Sequence, residues 1–109
     1  MIAVNYKLFS PVGSNEFPCT GAHYITDYDG KEICYALRVG IVKTENIRDM
    51  LVKVPLSITQ KKEAKKLMQA FNNRYPVSVK FENIQVFRYD INGKIIYSAK
   101  AESFVTQED

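Results

Sequence analysis

Only one stretch of the chain carries a helical repeat. Between Thr59 and Tyr75, the residues Ala64, Leu67, Met68, Phe71 and Tyr75 fall three and four apart and line one face of an α-helix. Most other apolar residues recur at every second position, the period of a strand with one buried face. A chain of 109 residues has room for one domain, so several strands and one helix must share a single core. Ser57 or Thr59 supplies an N-cap oxygen, and Pro76 stops the helix. Lys61, Lys62, Lys65 and Lys66 point away from the apolar stripe and read as a solvated face.

Around this helix the sequence predicts strands. Ile2–Phe9 alternates, with Ile2, Val4, Tyr6 and Leu8 on one side and Ala3, Asn5, Lys7 and Phe9 on the other. Residues 10–22, rich in Pro, Gly, Ser and Asn, read as a long loop. His23–Tyr28 is a short strand, either a separate hairpin arm or the continuation of a bent first strand. Asp29-Gly30 predicts a type I′ turn after it. Cys34–Val42 follows, then a polar connection with one helical turn, then Leu51–Ile58, where Pro55 predicts an edge or an early end. Val77–Tyr89 is a long strand whose inward set shifts from Val77, Val79 and Phe81 to Ile84 and Val86, which predicts a bulge or bend near Glu82–Asn83. Asn92-Gly93 turns the chain into a last strand, Lys94–Val105. Residues 1–105 form the domain, and residues 106–109 are a short acidic frayed tail.

The totals exclude several classes. Cys19 and Cys34 have no CxxC spacing and are too few for a disulfide framework, which predicts a reducing, cytoplasmic compartment. No apolar run approaches the roughly 18 residues of a membrane span, and the N-terminus lacks the apolar core of a signal peptide. His23 is the one histidine, so a nucleophilic pair would require Cys19 or Cys34 to meet it. Asp27, Asp29 and Glu32 cluster at a turn, where Asp serves turn geometry. No glycine loop for phosphates and no metal-ligand spacing is present. The expectation is no enzyme, no metal and no cofactor. A net charge of +3 permits a polyanionic partner without requiring one.

The element order predicts a mainly β chain: a β-barrel with one helix, the five-stranded, partly open OB-fold, with the helix between its third and fourth strands. The main rival is a cystatin-like α+β sheet, which usually carries its helix nearer the N-terminus. The stretch "LVKVPLSI", the helix, and "PVSVKFENIQVFRYDINGKIIYSAKAESF" resembles OB-class single-stranded-DNA-binding proteins of phages and small accessory proteins of conjugative elements. The resemblance covers about half the chain and rests on strand order and hydrophobic spacing. Two departures stand out: the long acidic tail of cellular single-strand binders is missing, and Trp is absent, while Tyr and Phe number 7 and 6. The resemblance implies a bacterial host's cytoplasm, a role in replication or recombination, single-stranded DNA (or RNA) as partner, and a homo-oligomer.

Single-strand binding needs basic groups for phosphates and flat rings for bases. Alternation puts Phe87 and Tyr89 opposite Ile84 and Val86, so if the latter are core the two rings face outward, beside Lys94. Arg38, Lys53, Lys80 and Lys100 lie on the non-core parity of their strands. Tyr24 and Tyr28 flank the hairpin arm. The plain alternatives are solvation for each charge, and packing under the 10–22 loop or on the barrel rim for the rings. A second functional reading makes the exposed rings anchors for a host or replication protein. The first strand, with Phe9 outward, and the edge near Pro55 are the expected association surfaces.

Overall fold

The computed structural model describes residues 1–108. Its elements are β1 (Ile2–Val4), a 3-10 turn (Tyr6–Leu8), β2 (Glu16–Thr26), β3 (Glu32–Thr44), β4 (Ile47–Pro55), α1 (Ile58–Ala70), β5 (Val77–Glu82), β6 (Gln85–Ile91), β7 (Lys94–Lys100) and β8 (Ser103–Thr106). The fold is mainly β: eight strands in one open sheet, ordered β1-β6-β7-β4-β3-β2-β5-β8, and one helix. Every pairing is antiparallel except β4 with β7. Strand number and helix position therefore differ from expectation: eight strands rather than five, with α1 between the fourth and fifth.

The inward faces of the sheet and one stripe of α1 make the core. Phe17, Phe81, Phe104, Leu37, Leu67, Val52 and Val79 are all but fully buried. The ring centroids of Phe17 and Phe81 lie 5.9 Å apart, and Phe104 stacks on Tyr35 at 5.8 Å. Ile84 and Val86 are core, as the parity argument required. Asn83, at φ 51°, supplies the bend between β5 and β6. Asn92 and Gly93, at φ 53° and 79°, make the expected tight turn.

Several expectations need correction. Ile2–Phe9 is not one strand: Asn5 Oδ1 accepts the Lys7 N–H at 3.0 Å, a local bond that competes with the ladder and turns the chain. The turn carries Phe9 inward, where it is buried with its ring 4.9 Å from Tyr97, so Phe9 is no association surface. The second half of the expected 10–22 loop is strand, because β2 begins at Glu16. Pro18 and Gly21 disguise it, and Gly21 marks a register shift opposite Arg38 and Val39. The polar connection after Val42 is no helical turn: Thr44 pairs with Ile47 across Glu45 and Asn46, both at positive φ. At Asp29-Gly30 only the glycine has positive φ. Asp27 closes that turn instead, its Oδ1 accepting from the Asp29 and Lys31 amides. Pro55 ends β4, which is an interior strand paired with both β3 and β7.

Ser57 caps α1, its Oγ accepting the Gln60 N–H at 3.0 Å. The helix stops at Ala70 rather than Tyr75, because Asn72 and Asn73 are poor helix formers and the last turn tightens onto Gln69 and Ala70 carbonyls. Tyr75, beyond the helix end, is exposed, and so is Met68 within α1, so neither joins the buried stripe. The expected last strand divides at Ala101–Glu102. β7 stays beside β4, while β8 crosses to β5. Gln60 and Glu63 then reach from α1 to this sheet edge: Phe104 N–H donates to Gln60 Oε1 at 2.9 Å, and Thr106 N–H donates to Glu63 Oε2 at 3.1 Å. Residues 106–108 are tied rather than frayed. Thr106 is in β8, the Gln107 N–H donates to Ser78 O, and Lys66 pairs with Glu108 at 3.0 Å. Asp109 lies outside the described residues.

Cys19 is buried, its Sγ 3.3 Å from Gly21 O, whereas Cys34 is partly exposed. Burial pushes the Cys19 thiol from 9.0 up to about 11. One thiol should therefore react with Ellman's reagent in the native protein, and a second only in guanidinium. The raised value favours the protonated fold, so its contribution is intact below pH 9 and is lost as pH climbs towards 11, on the order of 2 kcal/mol. Denaturant titrations from pH 8 to 11 check this; Cys19→Ala should flatten the fall, and an unchanged slope would contradict it.

Candidate nucleic-acid interface

The outward faces of β3, β4, β7 and β6 form one surface, because these strands are successive neighbours in the sheet. Ladder register sets what lies beside what. One row runs Arg38, Leu51, Ser98, Phe87, Ala3. The next runs His23, Ala36, Lys53, Lys100, Gln85. Tyr89 opposes Ile96 in the row on the other side of Phe87, away from the lysines. The register thus brings five of the expected residues together: Arg38, Lys53, Phe87, Tyr89 and Lys100.

Lys53 and Lys100 are directly paired on adjacent strands. Like charges placed opposite one another cost stability, and neither ammonium has a carboxylate partner among the described residues. Lys100 Nζ lies 5.9 Å from the centre of the Phe87 ring, a position where the ring face attracts a cation. Phe87 and Tyr89 are half-buried, so each exposes only part of its ring. The Tyr89 hydroxyl is 3.1 Å from Met1 Sδ, which sets β1 against the outer end of the surface. Arg38 is 3.8 Å from Asp49, and both are well exposed, so the pair adds little and Arg38 stays available. A cleft of about 380 Å³ runs among Arg38, Leu51, Lys53, Ile96 and Ser98.

Tyr97, which lines this cleft, belongs to a small network. Tyr97 Oη donates to Glu45 Oε2 at 2.8 Å, and Arg88 Nη2 donates to Glu45 Oε1 at 3.1 Å. Hydrogen bonds from Arg88 and then Tyr97 hold the Glu45 carboxyl below the usual carboxylate range. The β3–β4 turn is thereby tied to β6 and β7.

The remaining expected residues lie elsewhere. Lys94 follows the Asn92-Gly93 turn at the end of the same β6–β7 hairpin, and Tyr28 is fully exposed at the tip of the β2–β3 hairpin. Tyr24 is turned inward, 4.8 Å from the Tyr35 ring, and so is separate from Tyr28. Lys80 sits on β5 between Glu16 and Val105, away from the surface. Sequence reasoning missed Leu51, Ser98, Ile96 and the place of His23 in the lysine row; only the β4–β7 register reveals them.

A larger cleft, about 650 Å³, lies at the Asn83 bend with Glu82 and Glu102 among its lining residues, and acidic walls repel a polyanion. Cys19 is buried while His23 is exposed on the outer row, so those two side chains face different environments. Among the described residues no group of three His, Cys, Asp or Glu side chains is placed to hold a metal. Among the described residues no helix is long and apolar enough to cross a membrane. Compared with known proteins, the chain matches no family model, no curated protein and no solved structure.

Proposed function

We infer that this is a non-enzymatic OB-fold protein that binds single-stranded DNA without strong sequence preference, in phage or mobile-element replication or recombination within a bacterial cytoplasm. One observation carries the reading: an uncompensated Lys53–Lys100 pair lies beside the Phe87 ring. A phosphate between the two ammoniums removes their repulsion, and the ring offers a face to the neighbouring base. Stacking of this kind contributes roughly 1–3 kcal/mol per base and tolerates any sequence.

The OB reading draws support from the pairings. β5 and β6 are joined through Asn83 and Ile84 alone, yet lie near opposite edges of the sheet order. Counted as one bent strand, they complete a ring: β2, β3, β4, β7, then the bent strand back to β2. Five barrel strands and one helix are then left, with β1 and β8 as additions at the two edges.

Fluorescence anisotropy with labelled oligo-dT is the test. Micromolar binding at low salt is expected, with a log–log salt slope near −0.7 for each phosphate engaged. No binding at low salt sinks the proposal, and a protein captured without any DNA affinity would favour the protein-partner reading instead. The same surface bears on assembly. The β1 edge has no charged residue within Ile2–Val4, whereas the β8 edge has its amides occupied by α1. A homo-oligomer is therefore expected to form through β1, and light scattering at tens of micromolar that returned the 12.5 kDa monomer would refute it.

A further inference from the structure

A second site lies on the other side of the sheet, between the β2–β3 hairpin and α1. A cleft of about 300 Å³ is lined there by Tyr24, Tyr35, Ala64, Lys65, Met68 and Gln69. Its walls are mainly apolar, and two of the residues that line it carry unmatched polar groups. Tyr35 is buried, and its hydroxyl has no hydrogen-bond partner among the described residues. Burial, and then the nearby Tyr24 and Cys19, push that phenol to about 12, so it is a permanent donor at neutral pH. A buried donor left unpaired is costly, and native structures rarely carry one without a reason. Lys65 is exposed with no carboxylate partner among the described residues, although Lys61 pairs with Glu32 at 4.0 Å and Lys66 with Glu108 at 3.0 Å.

We propose that this cleft binds a small aromatic carboxylate carrying a second acceptor oxygen. The ring fits between Tyr24 and the Met68 thioether, contacts that aromatic and sulfur groups favour. The carboxylate pairs with Lys65, and the second oxygen accepts from the Tyr35 hydroxyl. The volume stands at the lower bound of ligand pockets, which suits on the order of a dozen non-hydrogen atoms. Met68 is half-exposed at the cleft and has three rotatable bonds, so it can move aside for entry.

The three methionines make the test direct. With their methyl carbons labelled, NMR reports Met68 in the cleft, Met50 in the core and Met1 beside Tyr89 on the outer surface. Titration with 4-methoxybenzoate should move Met68 saturably and leave Met1 in place. 4-Ethylbenzoate, lacking the acceptor oxygen, should bind about fivefold more weakly, the share of one hydrogen bond. Tyr35→Phe should erase that difference, and it removes an unpaired hydroxyl, so folding is retained. Lys65→Gln should bring 4-methoxybenzoate down to the affinity of 4-methoxybenzamide. A Met68 methyl that stays still at millimolar probe overturns the proposal. So does a methoxy preference that survives Tyr35→Phe. Oligo-dT should move Met1 and spare Met68; equal movement of both would make the cleft part of the nucleic-acid surface and defeat the separate site, whereas failure of Met1 alone to respond would count only against the outer surface.

Discussion

Lys53→Glu combined with Lys100→Glu should weaken oligo-dT binding by about 100-fold or more and leave the fold intact. Each lysine that engages a phosphate contributes to affinity through counterion release, and two lost contacts should flatten the salt slope by about 1.4. Both side chains are exposed, so the change empties no buried site and loses only the Lys100 contact with the Phe87 ring. The single variant Lys53→Glu separates a binding role from a structural one. It converts a repulsive cross-strand pair into an attractive one with Lys100, so the protein should gain a few tenths of a kcal/mol while losing DNA affinity. Paired urea titrations and anisotropy read the two effects in opposite directions. An unchanged salt slope in the double variant would show that phosphates do not pass over this pair.

The second large effect concerns a residue at the start of α1, where most substitutions are mild. Gln60→Ala should cost about 2–3 kcal/mol, because it leaves the Phe104 amide buried without an acceptor. Ser57→Ala, three residues earlier, loses only a cap and should cost about 1 kcal/mol. Adding Glu63→Ala frees the Thr106 amide as well, which bares the β8 edge. That double variant should aggregate as well as unfold early, since an uncovered edge pairs with other chains. Urea midpoints and light scattering check the set, and a Gln60→Ala midpoint equal to that of Ser57→Ala would contradict the argument.

Local chemistry in this chain was legible where one residue or one alternation decides the outcome. The Asn92-Gly93 turn, the bend at Asn83 and the opposition of Val86 to Phe87 all follow from such features. Elements failed to show where a tertiary partner outweighs composition. β2 runs through Pro18 and Gly21 because β5 pairs with its first half and β3 with its second. Phe9 is inward because Asn5 bends the chain, a side-chain-to-backbone bond that periodicity does not register. Tyr24 and Tyr28 looked like companions by spacing, but the register shift between Ile25 and Thr26 and the Asp27 turn send them to different places. Of the candidate surface, the residue types were visible and the neighbourhoods were not. Nothing in the sequence announces that residue 53 pairs with residue 100 in a parallel register.

That parallel pairing also times the surface during synthesis. Nearly half the chain separates Lys53 from Lys100, and contacts so distant form late because a large loop must close first. A nascent chain ending at Gly93 already holds β2, β3 and β4, with Arg38 and Lys53 on view, yet has no β7 to bring Lys100 beside them. On the proposed function, single-strand affinity would arrive only once β7 has joined β4 and set Lys100 beside Lys53.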